Sequence, residues 1–527
     1  MANASNATPS GASPAEPQVS ARRVVAFLAL IFGMFMAILD IQIVSSSLSE
    51  IQAGLSASAD EISWVQTSYL IAEVVMIPLS GFLARALSTR YLFALSSAGF
   101  TLASILCATA GSIEQMILYR ALQGFIGGGM IPTAFAAAYS IFPKRQQAPV
   151  MALVGLVVTL APTIGPTVGG YLTELFSWHW LFLVNVPPGI AATLLCWFLV
   201  DFDEPDFSLL RNFDVAGLAG MAVMLGSLEY VLEEGAKDDW FQSSAIVFFT
   251  AATLLGGAVF FWRAFSARQP VVDLMAYRDR NFAVGSVLTF MLGTVLYGLT
   301  YLYPLFLAQV RGFNALEIGE TVFVTGATMF LAAPVVGILA RKLDPRLVIG
   351  TGFIFLFVSC IELLPITKDW GFEQMLVPQM LRGAALMLCM VPINVVSLGT
   401  LPPSQLKNAS GLFNLMRNLG GAVGLAVIVT VLNNRWDLHM ERLREQVTWS
   451  RAPVLETLNS LTSGFSGALG SAAELAATKE LALMVRQQGL VMAFADVFLL
   501  IAVFLACAGF LVLLVRRPRG GAAPPAH

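Results

Sequence analysis

The chain of 527 residues is 57% hydrophobic and only 12% charged, and its formal net charge is −3. A soluble domain is about 45–50% apolar and about 25% charged, so this composition excludes a soluble protein. The balance of acidic and basic residues also excludes a nucleic-acid-binding protein. The five cysteines lie inside apolar runs without paired spacing, which indicates neither a disulfide framework nor a metal site.

Apolar runs follow one another along almost the whole chain. Residues 1–22, rich in Ala, Ser and Pro, predict a disordered tail, and the first apolar run begins after Arg23. This run is too long for the core of a signal peptide, so we expect it to remain in the protein as the first span. Runs of about 20 apolar residues recur as far as residue 515 and predict an all-α integral membrane protein with fourteen transmembrane helices.

The distribution of Lys and Arg predicts the orientation of these spans. Connections on the amino-terminal side carry most of the basic residues, whereas the short connections on the other side carry only Lys237, Arg311 and Lys368. Cytoplasmic loops are enriched in Lys and Arg. We therefore expect both termini in the cytoplasm, as an even number of spans requires.

A sequence repeat relates two distant parts of the chain. Residues 78–90 (PLSGFLARALSTR) and 334–346 (PVVGILARKLDPR) are identical at seven positions, at a constant offset of 256. Both segments close a predicted span at the cytoplasmic side. The offset fits two parallel six-helix halves with two helices inserted between them, and such repeats are typical of transporters that rock around a site at the membrane midplane.

This repeat predicts the organisation of the chain. We expect a disordered cytoplasmic tail at 1–22, an N-terminal six-helix bundle at 23–201, two inserted transmembrane helices with cytoplasmic flanks at 202–280, a C-terminal six-helix bundle at 281–516 and a cytoplasmic tail at 517–527. The second bundle includes a hydrophilic segment, 434–489, which we expect outside the cytoplasm as two helix-forming runs separated by Gly464, Gly467 and Gly470.

Five motifs, in order, resemble those of the major facilitator superfamily, specifically its fourteen-helix drug:proton antiporter branch of the EmrB/QacA type. The matching segments are 39–40 in span 1, 81–90 after span 2, 118–124 (LYRALQG) in span 4, 161–170 (APTIGPTVGG) in span 5 and 180–187 (WLFLVNVP) at span 6. The chain departs from the family's hairpin motif at Arg85, where the family carries Asp, and at Ser88, where it carries Gly. The resemblance implies the major facilitator fold.

The resemblance also implies a function. We expect a proton-coupled secondary active efflux transporter that exports lipophilic or cationic drugs or toxic compounds across the inner membrane. A dedicated proton-coupled exporter of a single metabolite, siderophore or fatty acid would share every motif and stays open as the alternative. Because the chain has no phosphate-binding loop of the Walker type, we do not expect ATP as the energy source, and the scattered histidines indicate no metal site. A membrane enzyme would need catalytic residues, which the sequence does not show, so we expect no cofactor and no enzymatic activity.

The expected partners follow from the same resemblance. They are a small drug-like molecule, protons and membrane lipid, with no nucleic acid. Pumps of this branch in bacteria with two membranes work with a periplasmic adaptor (membrane fusion) protein and an outer-membrane channel. We therefore expect segment 434–489 near such an adaptor.

Three charged residues inside predicted spans are candidates for proton coupling: Asp40, Glu73 and Arg120. A carboxyl group at this depth is costly unless it is partnered or hydrated, so it can bind a proton on one side and release it when its surroundings change. Arg120 stays charged and needs a partner, for which Asp40 is the plausible acid. The alternative is that these groups only pin helices together.

Other residues are candidates for substrate binding, for a hinge and for a gate. Aromatic, amide and cationic side chains that suit a substrate cavity are Tyr69, Gln123, Tyr297, Tyr303, Phe413, Asn414, Arg382 and Arg417. Gly165, Pro166, Gly169 and Gly170 predict close packing and a bend, the antiporter hinge of the family. The repeated hairpins predict a cytoplasmic gate at Gly81, Arg85, Arg90, Gly337, Arg341 and Arg346. Carboxylates near outer span ends, which we expect to be hydrated, are Glu229, Glu320, Glu362 and Asp496.

Overall fold

A computed structural model describes residues 19–516. Residues 1–18 of the first predicted tail, and the whole second tail at 517–527, lie outside the described residues. Within 19–516 all regular secondary structure is helical, and there is no β-strand. The prediction of an all-helical membrane protein is therefore confirmed for the described part of the chain.

Eighteen α-helices make up this part. They are α1 (Ala21–Ser46), α2 (Leu48–Leu55), α3 (Ala59–Ile62), α4 (Trp64–Ala108), α5 (Ile113–Gly127), α6 (Met130–Ile141), α7 (Lys144–Leu175), α8 (Trp180–Leu183), α9 (Val186–Leu199), α10 (Val215–Glu234), α11 (Ser244–Ser266), α12 (Arg280–Phe306), α13 (Ala315–Lys342), α14 (Pro345–Glu362), α15 (Phe372–Leu398), α16 (Pro403–Gln446), α17 (Ala452–Leu469) and α18 (Ala473–Leu511).

Several spans begin at a residue whose side chain accepts a hydrogen bond from the first turn of the helix. These caps are Ser20, Ser112, Asp214, Asp279, Asn314 and Asp344. Such a cap satisfies one of the backbone N–H groups that have no partner inside the helix. Short polar residues at the ends of apolar runs therefore determine where many of the spans start.

The described helices include twelve that are long and apolar enough to cross a membrane, or thirteen with the bent helix α7. Helix α4 alone has 45 residues, about 68 Å at 1.5 Å per residue, whereas the hydrocarbon core of a bilayer is about 30 Å thick. Non-helical backbone at Ser88 (φ 76°, ψ 160°) divides it. Counting the two parts of α4 separately gives fourteen spans, the predicted number.

Both ends of the described chain lie at one face of the bundle. Arg22 at the start of α1 pairs with Asp201 after α9 (3.5 Å), and the guanidinium of Arg280 donates to the carbonyl of Leu514 (3.2 Å). Lys407 at the start of α16 pairs with Asp203 (2.5 Å). We call the face formed by these residues the termini face, and the other end of the bundle the outer face.

The helices pack so that α4 contacts α16 and α7 contacts α13. In both pairs one helix comes from residues 23–201 and the other from 281–516. The two helices between these ranges are arranged differently, because α10 packs against α11, α4 and α16. Helix α11 exposes large apolar side chains, among them Leu254, Leu255 and Phe265, as expected for a helix that faces lipid.

The segment 434–489 is built from helices rather than from a loop. Helix α16 has 44 residues and continues to Gln446, and α18 begins as early as Ala473. Between them α17 includes Gly464 and Gly467, which we expected to interrupt the helix; only Gly470, at φ +50°, breaks it. An isolated glycine costs a helix only about 1 kcal/mol, which neighbouring packing can offset.

Candidate functional site

The centre of the first half is a buried ion pair between α1 and α5. The Arg120 Nη1 atom lies 2.6 Å from Asp40 Oδ2, and both side chains are fully buried. Asn185 at the start of α9 donates to the other carboxylate oxygen of Asp40 (2.6 Å), and Gln123 Nε2 donates to the same oxygen (3.2 Å). The carboxylate therefore has a partner for each oxygen, the condition under which a charge survives burial.

Arg120 is held on its other sides by α4. Its Nε donates to the carbonyl of Val65 (3.2 Å), and its guanidinium carbon lies 4.2 Å from the ring centroid of Tyr69. The Tyr69 hydroxyl is buried without a hydrogen-bond partner among the described residues. Glu73 follows Tyr69 by one helical turn on α4. The residue that contacts Arg120 and a second buried carboxyl group are therefore neighbours on the same helix.

A cavity of about 420 Å³ lies beside this network, between α1, α4, α10, α12 and α16. Glu73 lines it from α4, and Tyr297 and Arg417 line it from the other half. Leu48, Ser63 and Lys237, near helix ends remote from the termini face, also belong to the wall. Because Lys237 is exposed, the cavity reaches the outer face.

Glu73 and Arg417 are the buried charged groups of this wall that come from opposite halves. Glu73 is 3% exposed, and its Oε1 has no hydrogen-bond partner among the described residues. Arg417 is also 3% exposed. Its Nη2 donates to Asn414 Oδ1 (2.6 Å), while Nε and Nη1 have no described partner. Both side chains therefore have hydrogen-bonding capacity left for a molecule in the cavity.

The remaining candidates for the substrate cavity are buried but are not among its lining residues. They are Tyr69, Gln123, Tyr303, Phe413, Asn414 and Arg382. Gln123 serves the Asp40 network, and Asn414 holds Arg417. Arg382 donates to Thr300 Oγ1 (2.6 Å), which does line the cavity, and its guanidinium carbon lies 5.2 Å from the Tyr303 ring centroid.

Helix α7 bends just before Gly165 and Pro166, the first residues of the predicted antiporter hinge. Its parts Lys144–Pro162 and Ile164–Leu175 meet at 42°. Pro162 and Pro166 lie inside the helix, and each removes a backbone hydrogen bond, which favours a bend in this stretch. A Cβ atom at Gly165 would overlap the side chain of Gln42, so this glycine allows α7 to approach α1 near Asp40. Gly169 is buried, and both it and Gly170 accept a hydrogen bond from Thr173 Oγ1 (3.0 Å each).

Contacts between the halves close the termini face below the cavity. A Cβ atom at Gly81 would lie 2.9 Å from Cα of Asn408, and one at Gly337 would lie 3.3 Å from Cα of Pro149. The two repeated glycines thus occupy the same kind of position, each against a helix of the other half. Further in, Ser410 Oγ donates to the carbonyl of Pro132 (2.6 Å).

The four arginines of the repeated hairpins do not form these contacts. The Arg90 guanidinium stacks on Trp197 (5.3 Å) and that of Arg346 donates to the carbonyl of Val515 (2.6 Å), each within its own half. The Arg85 guanidinium lies 5.8 Å from the Phe82 ring, and Arg341 is exposed. A charged link across the face is instead formed by Lys407, a residue not proposed for the gate from the sequence, which donates to the carbonyl of Ala84 (2.9 Å) and pairs with Asp203.

Residues 30–425 match the family model of the Major Facilitator Superfamily. The chain belongs to this superfamily. It is 40% identical over 493 residues to a colistin resistance protein EmrB of Acinetobacter baumannii, with 93% of this chain and 96% of that protein covered. It is 30% identical to the multidrug export protein EmrB of Escherichia coli, with 97% and 99% covered. Among solved structures, the human organic anion transporter MFSD10 (TETRAN) has the same fold (TM-score 0.55, 15% identity, 92% of this chain and 99% of that chain covered).

The transporter has cavity residues that were not expected from the sequence. Glu229, predicted as a hydrated carboxylate at a span end, is only 6% exposed and lines the cavity together with Glu233 and Lys237. Glu320 and Glu362 are exposed as predicted. Asp496 is half-buried and pairs with Arg435 and His439. The spacing of Glu229 and Glu233, one helical turn apart, is the signal in the sequence that places both on one face of α10.

Proposed function

We propose that this transporter exports lipophilic, often cationic or aromatic compounds across the inner membrane in exchange for protons. Membership of the superfamily supports transport of small molecules rather than catalysis, and relatives named for multidrug export and colistin resistance support drugs as the class of substrate. The observation that carries the proposal is the cavity between the halves. It is open toward the outer face, closed at the termini face and lined by Glu73, a buried carboxyl group without a described partner.

The proton-coupling part of the proposal rests on Asp40, Glu73 and Arg120. Asp40 has no exposed surface and depends on Arg120 for charge compensation. A change in the position of α5 or α4 would alter that compensation, so it would change the affinity of the carboxylate for a proton. Tyr69 contacts Arg120 and precedes Glu73 by one turn. This arrangement supports a coupling of protonation to the shape of the cavity.

Alternating access is proposed to use the bend in α7 and the contacts at the termini face. Opening that face requires α4 to separate from α16 and α13 from α7, at Gly81 and Gly337. The bundles proposed at 23–201 and 281–516 would then rotate relative to each other. The bend between Pro162 and Ile164 lies beside the cavity, because Pro162 lines it. This position suits a hinge that couples the cavity to the face below.

Proton release from reconstituted vesicles tests the function directly. The purified protein is reconstituted in liposomes. Lipophilic cations, neutral aromatic compounds and fatty acids are added one at a time to one side of the liposome membrane, and the pH on the other side is recorded. We expect several unrelated lipophilic compounds to drive proton movement in the opposite direction. A response to one compound class alone would favour the dedicated exporter, and no coupled proton movement with any compound would contradict the proposal.

The alternative is a dedicated exporter of a fatty acid or another single metabolite. One relative favours it, the fatty acid resistance protein FarB of Neisseria gonorrhoeae, which is 29% identical over 435 residues. The cavity wall argues against fatty acids, because the three carboxyl groups of Glu73, Glu229 and Glu233 outnumber the two cations, Lys237 and Arg417, and would repel a carboxylate. The same panel of compounds distinguishes the two functions.

A second proposal concerns a partner outside the membrane. Helix α16 extends for about 66 Å, roughly twice the hydrocarbon thickness. Its extension packs with α17 and the first turns of α18 around an apolar hollow of about 500 Å³ that includes Met440, Leu458 and Leu483. Trp449 at its edge is 66% exposed. We propose that this helical hairpin docks a periplasmic adaptor protein, which would connect the transporter to an outer-membrane channel.

Removal of the hairpin tests this partner. Deleting residues 450–475 should leave insertion and binding of a lipophilic dye unchanged, because the cavity residues lie elsewhere. Co-purification with a co-expressed adaptor should be lost. Unchanged co-purification would contradict the docking proposal without affecting the proposed transport function.

The orientation is also a proposal. The concentration of Lys and Arg in the connections at the termini face supports a cytoplasmic position for this face and for both termini. The cavity would then open to the periplasm in this conformation. Reporter fusions after residue 516, and within the hairpin, would report opposite sides of the membrane if the orientation is correct.

A further inference from the structure

The transport cavity has a third wall, and this wall comes from the inserted pair of helices. Glu229, Leu232, Glu233 and Ala236 line the cavity from α10 and the turn that follows it. Helix α11, its partner, faces outward and is largely exposed. The inserted pair is therefore asymmetric: one helix contributes to the cavity and the other separates it from lipid.

Helix α10 is fixed to both halves at the level of these residues. Its Tyr230 ring lies 5.6 Å from the ring of Trp64 on α4, and Thr67 Oγ1 donates to Glu234 Oε1 (3.1 Å). On the other side Trp240, just after α10, donates to Thr430 Oγ1 on α16 (3.0 Å). The position of the wall is thus set by contacts with both halves.

The charges of this wall are unbalanced. The acidic and basic side chains of the cavity lining are Glu73, Glu229, Glu233, Lys237 and Arg417. Lys237 lies beside Glu233 and also pairs with Glu234, which does not line the cavity (Nζ to Oε2, 3.0 Å). Three carboxyl groups therefore share two cations, Arg417 and a lysine that already has a carboxylate partner outside the lining.

Two of these carboxyl groups belong to buried residues of the cavity wall. Glu229 is 6% exposed, and it lies on the cavity. Glu73, 3% exposed, has a buried Oε1 with no described partner. Burial without a partner costs several kcal/mol for a charged carboxylate. A cation in the cavity would offset the cost of burial at both residues.

The apolar part of the lining surrounds these carboxyl groups. Leu232, Tyr297 and Tyr301 lie on the same cavity as Glu229 and Glu233. Aromatic rings and leucine side chains bind the apolar body of a ligand, and ring faces also attract a delocalised cation. The combination suits an aromatic, lipophilic cation better than an anion or a small hydrated ion.

We propose that Glu229 and Glu233 of the inserted helix select substrates by charge, binding lipophilic organic cations in the cavity shared by the two halves. This inference rests on the proposed export function and adds to it the residues that discriminate cations from neutral compounds. Proton coupling stays with the network of Asp40 and Arg120. Charge selection and coupling are then located on different helices and can be separated by mutation.

The experiment compares two fluorescent substrates, ethidium, a lipophilic cation, and N-phenyl-1-naphthylamine, an uncharged lipophile. Export of each is measured in vesicles containing wild type, E229Q/E233Q or the control E320Q, in which an exposed glutamate of α13 is changed. We expect E229Q/E233Q to export ethidium about tenfold more slowly, since one lost ion pair in the cavity is worth at least a factor of ten. Export of N-phenyl-1-naphthylamine should stay unchanged, and E320Q should behave as wild type.

Two outcomes overturn the inference: unchanged ethidium export in E229Q/E233Q, or an equal loss for both dyes, which would indicate a structural role. Restoration of ethidium export by E229D/E233D would support it. If the wild type exports neither dye, the compound panel decides the proposed function, and ethidium binding to the purified proteins decides the inference separately. Binding about tenfold weaker in E229Q/E233Q than in E320Q supports charge selection, and equal binding contradicts it.

Discussion

Arg120 Nη1 and Asp40 Oδ2 are 2.6 Å apart in a region from which solvent is excluded, and they connect α5 to α1. An ion pair at this depth does little for stability compared with well-packed apolar residues, because desolvation offsets most of the attraction. Its presence inside a transporter therefore points to a role in the transport cycle. The other donors to Asp40, Asn185 and Gln123, hold the carboxylate in this orientation.

Asp40→Asn should abolish proton-driven export. The amide keeps the volume and part of the hydrogen bonding but cannot exchange a proton with the medium. We expect normal amounts of protein in the membrane and drug-stimulated proton release at background level in reconstituted vesicles. The matched control is Asp496→Asn, a half-buried aspartate on α18 that pairs with His439 and Arg435. Normal proton release in the Asp40 variant would contradict the coupling assignment.

The two halves should respond differently to the loss of a buried arginine. Arg120→Met leaves Asp40 as an unpaired buried carboxylate and should lower the free energy of unfolding by about 3–5 kcal/mol. Arg382, 2% exposed, has a hydroxyl partner but no carboxylate among its described contacts. Arg382→Met should therefore be neutral or stabilising by about 1–4 kcal/mol. Thermal unfolding in detergent measures the stability of both variants. Equal destabilisation by Arg120→Met and Arg382→Met would contradict the prediction that only Arg120 compensates a buried carboxylate.

Much of the fold could be predicted from the sequence because the bilayer restricts it to apolar helices of known length. The repeat around Gly81 and Gly337 also indicated where the halves meet. A glycine at the same position of both repeated segments suggests that a neighbouring helix approaches closely there. What hydropathy does not encode is where a helix continues into water. Helix α16 runs on to Gln446 because the polar residues after its apolar part have good helix propensity, so segment 434–489 forms a helical hairpin rather than a loop.

The site was harder to predict, because a cavity depends on which face of each helix points inward. On α1, Ile38, Ile41 and Gln42 face the cavity. Asp40 points away from it, toward Arg120 on α5 of the same half. Residues 39–42 are too few to show that division by periodicity alone. The inserted helices were harder still, because a repeat of the two halves carries no information on where extra helices dock. The contribution of Glu229 therefore required the structure.

Ser88→Gly should stabilise the protein. Ser88 has φ 76°, a conformation that strains residues with a Cβ atom, and it is 1% exposed. The kink itself is required, because Thr89 begins the next span and donates its N–H to Asp203 Oδ2 (2.7 Å). Relief of the strain should raise the free energy of unfolding by about 1 kcal/mol. The control Ser96→Gly, inside the helix, should lower the free energy of unfolding by about 0.5–1 kcal/mol. If both substitutions changed the free energy of unfolding in the same direction, the interpretation would be wrong.

The closed termini face depends on the close approach of α4 and α16 at Gly81. A Cβ atom there would lie 2.9 Å from both Cα of Asn408 and the carbonyl oxygen of Lys407. These are backbone atoms that cannot move aside as a side chain can, so Gly81→Ala should force the helices apart and favour conformations in which this face is open. The control is Gly350→Ala on α14, where a Cβ atom would have no neighbour within 4 Å.

Labelling of a buried position measures this opening. In a variant whose native cysteines are replaced, Ser410→Cys places a thiol at the contact of α16 with Pro132, where the serine is fully buried. We expect a maleimide applied from the side of the termini to react about tenfold faster when Gly81→Ala is added, corresponding to about 1.4 kcal/mol in the opening equilibrium. Both alanine substitutions improve helix propensity equally, so a difference between them reports the steric contact. Equal labelling with Gly81→Ala and Gly350→Ala would show that this contact does not hold the face closed.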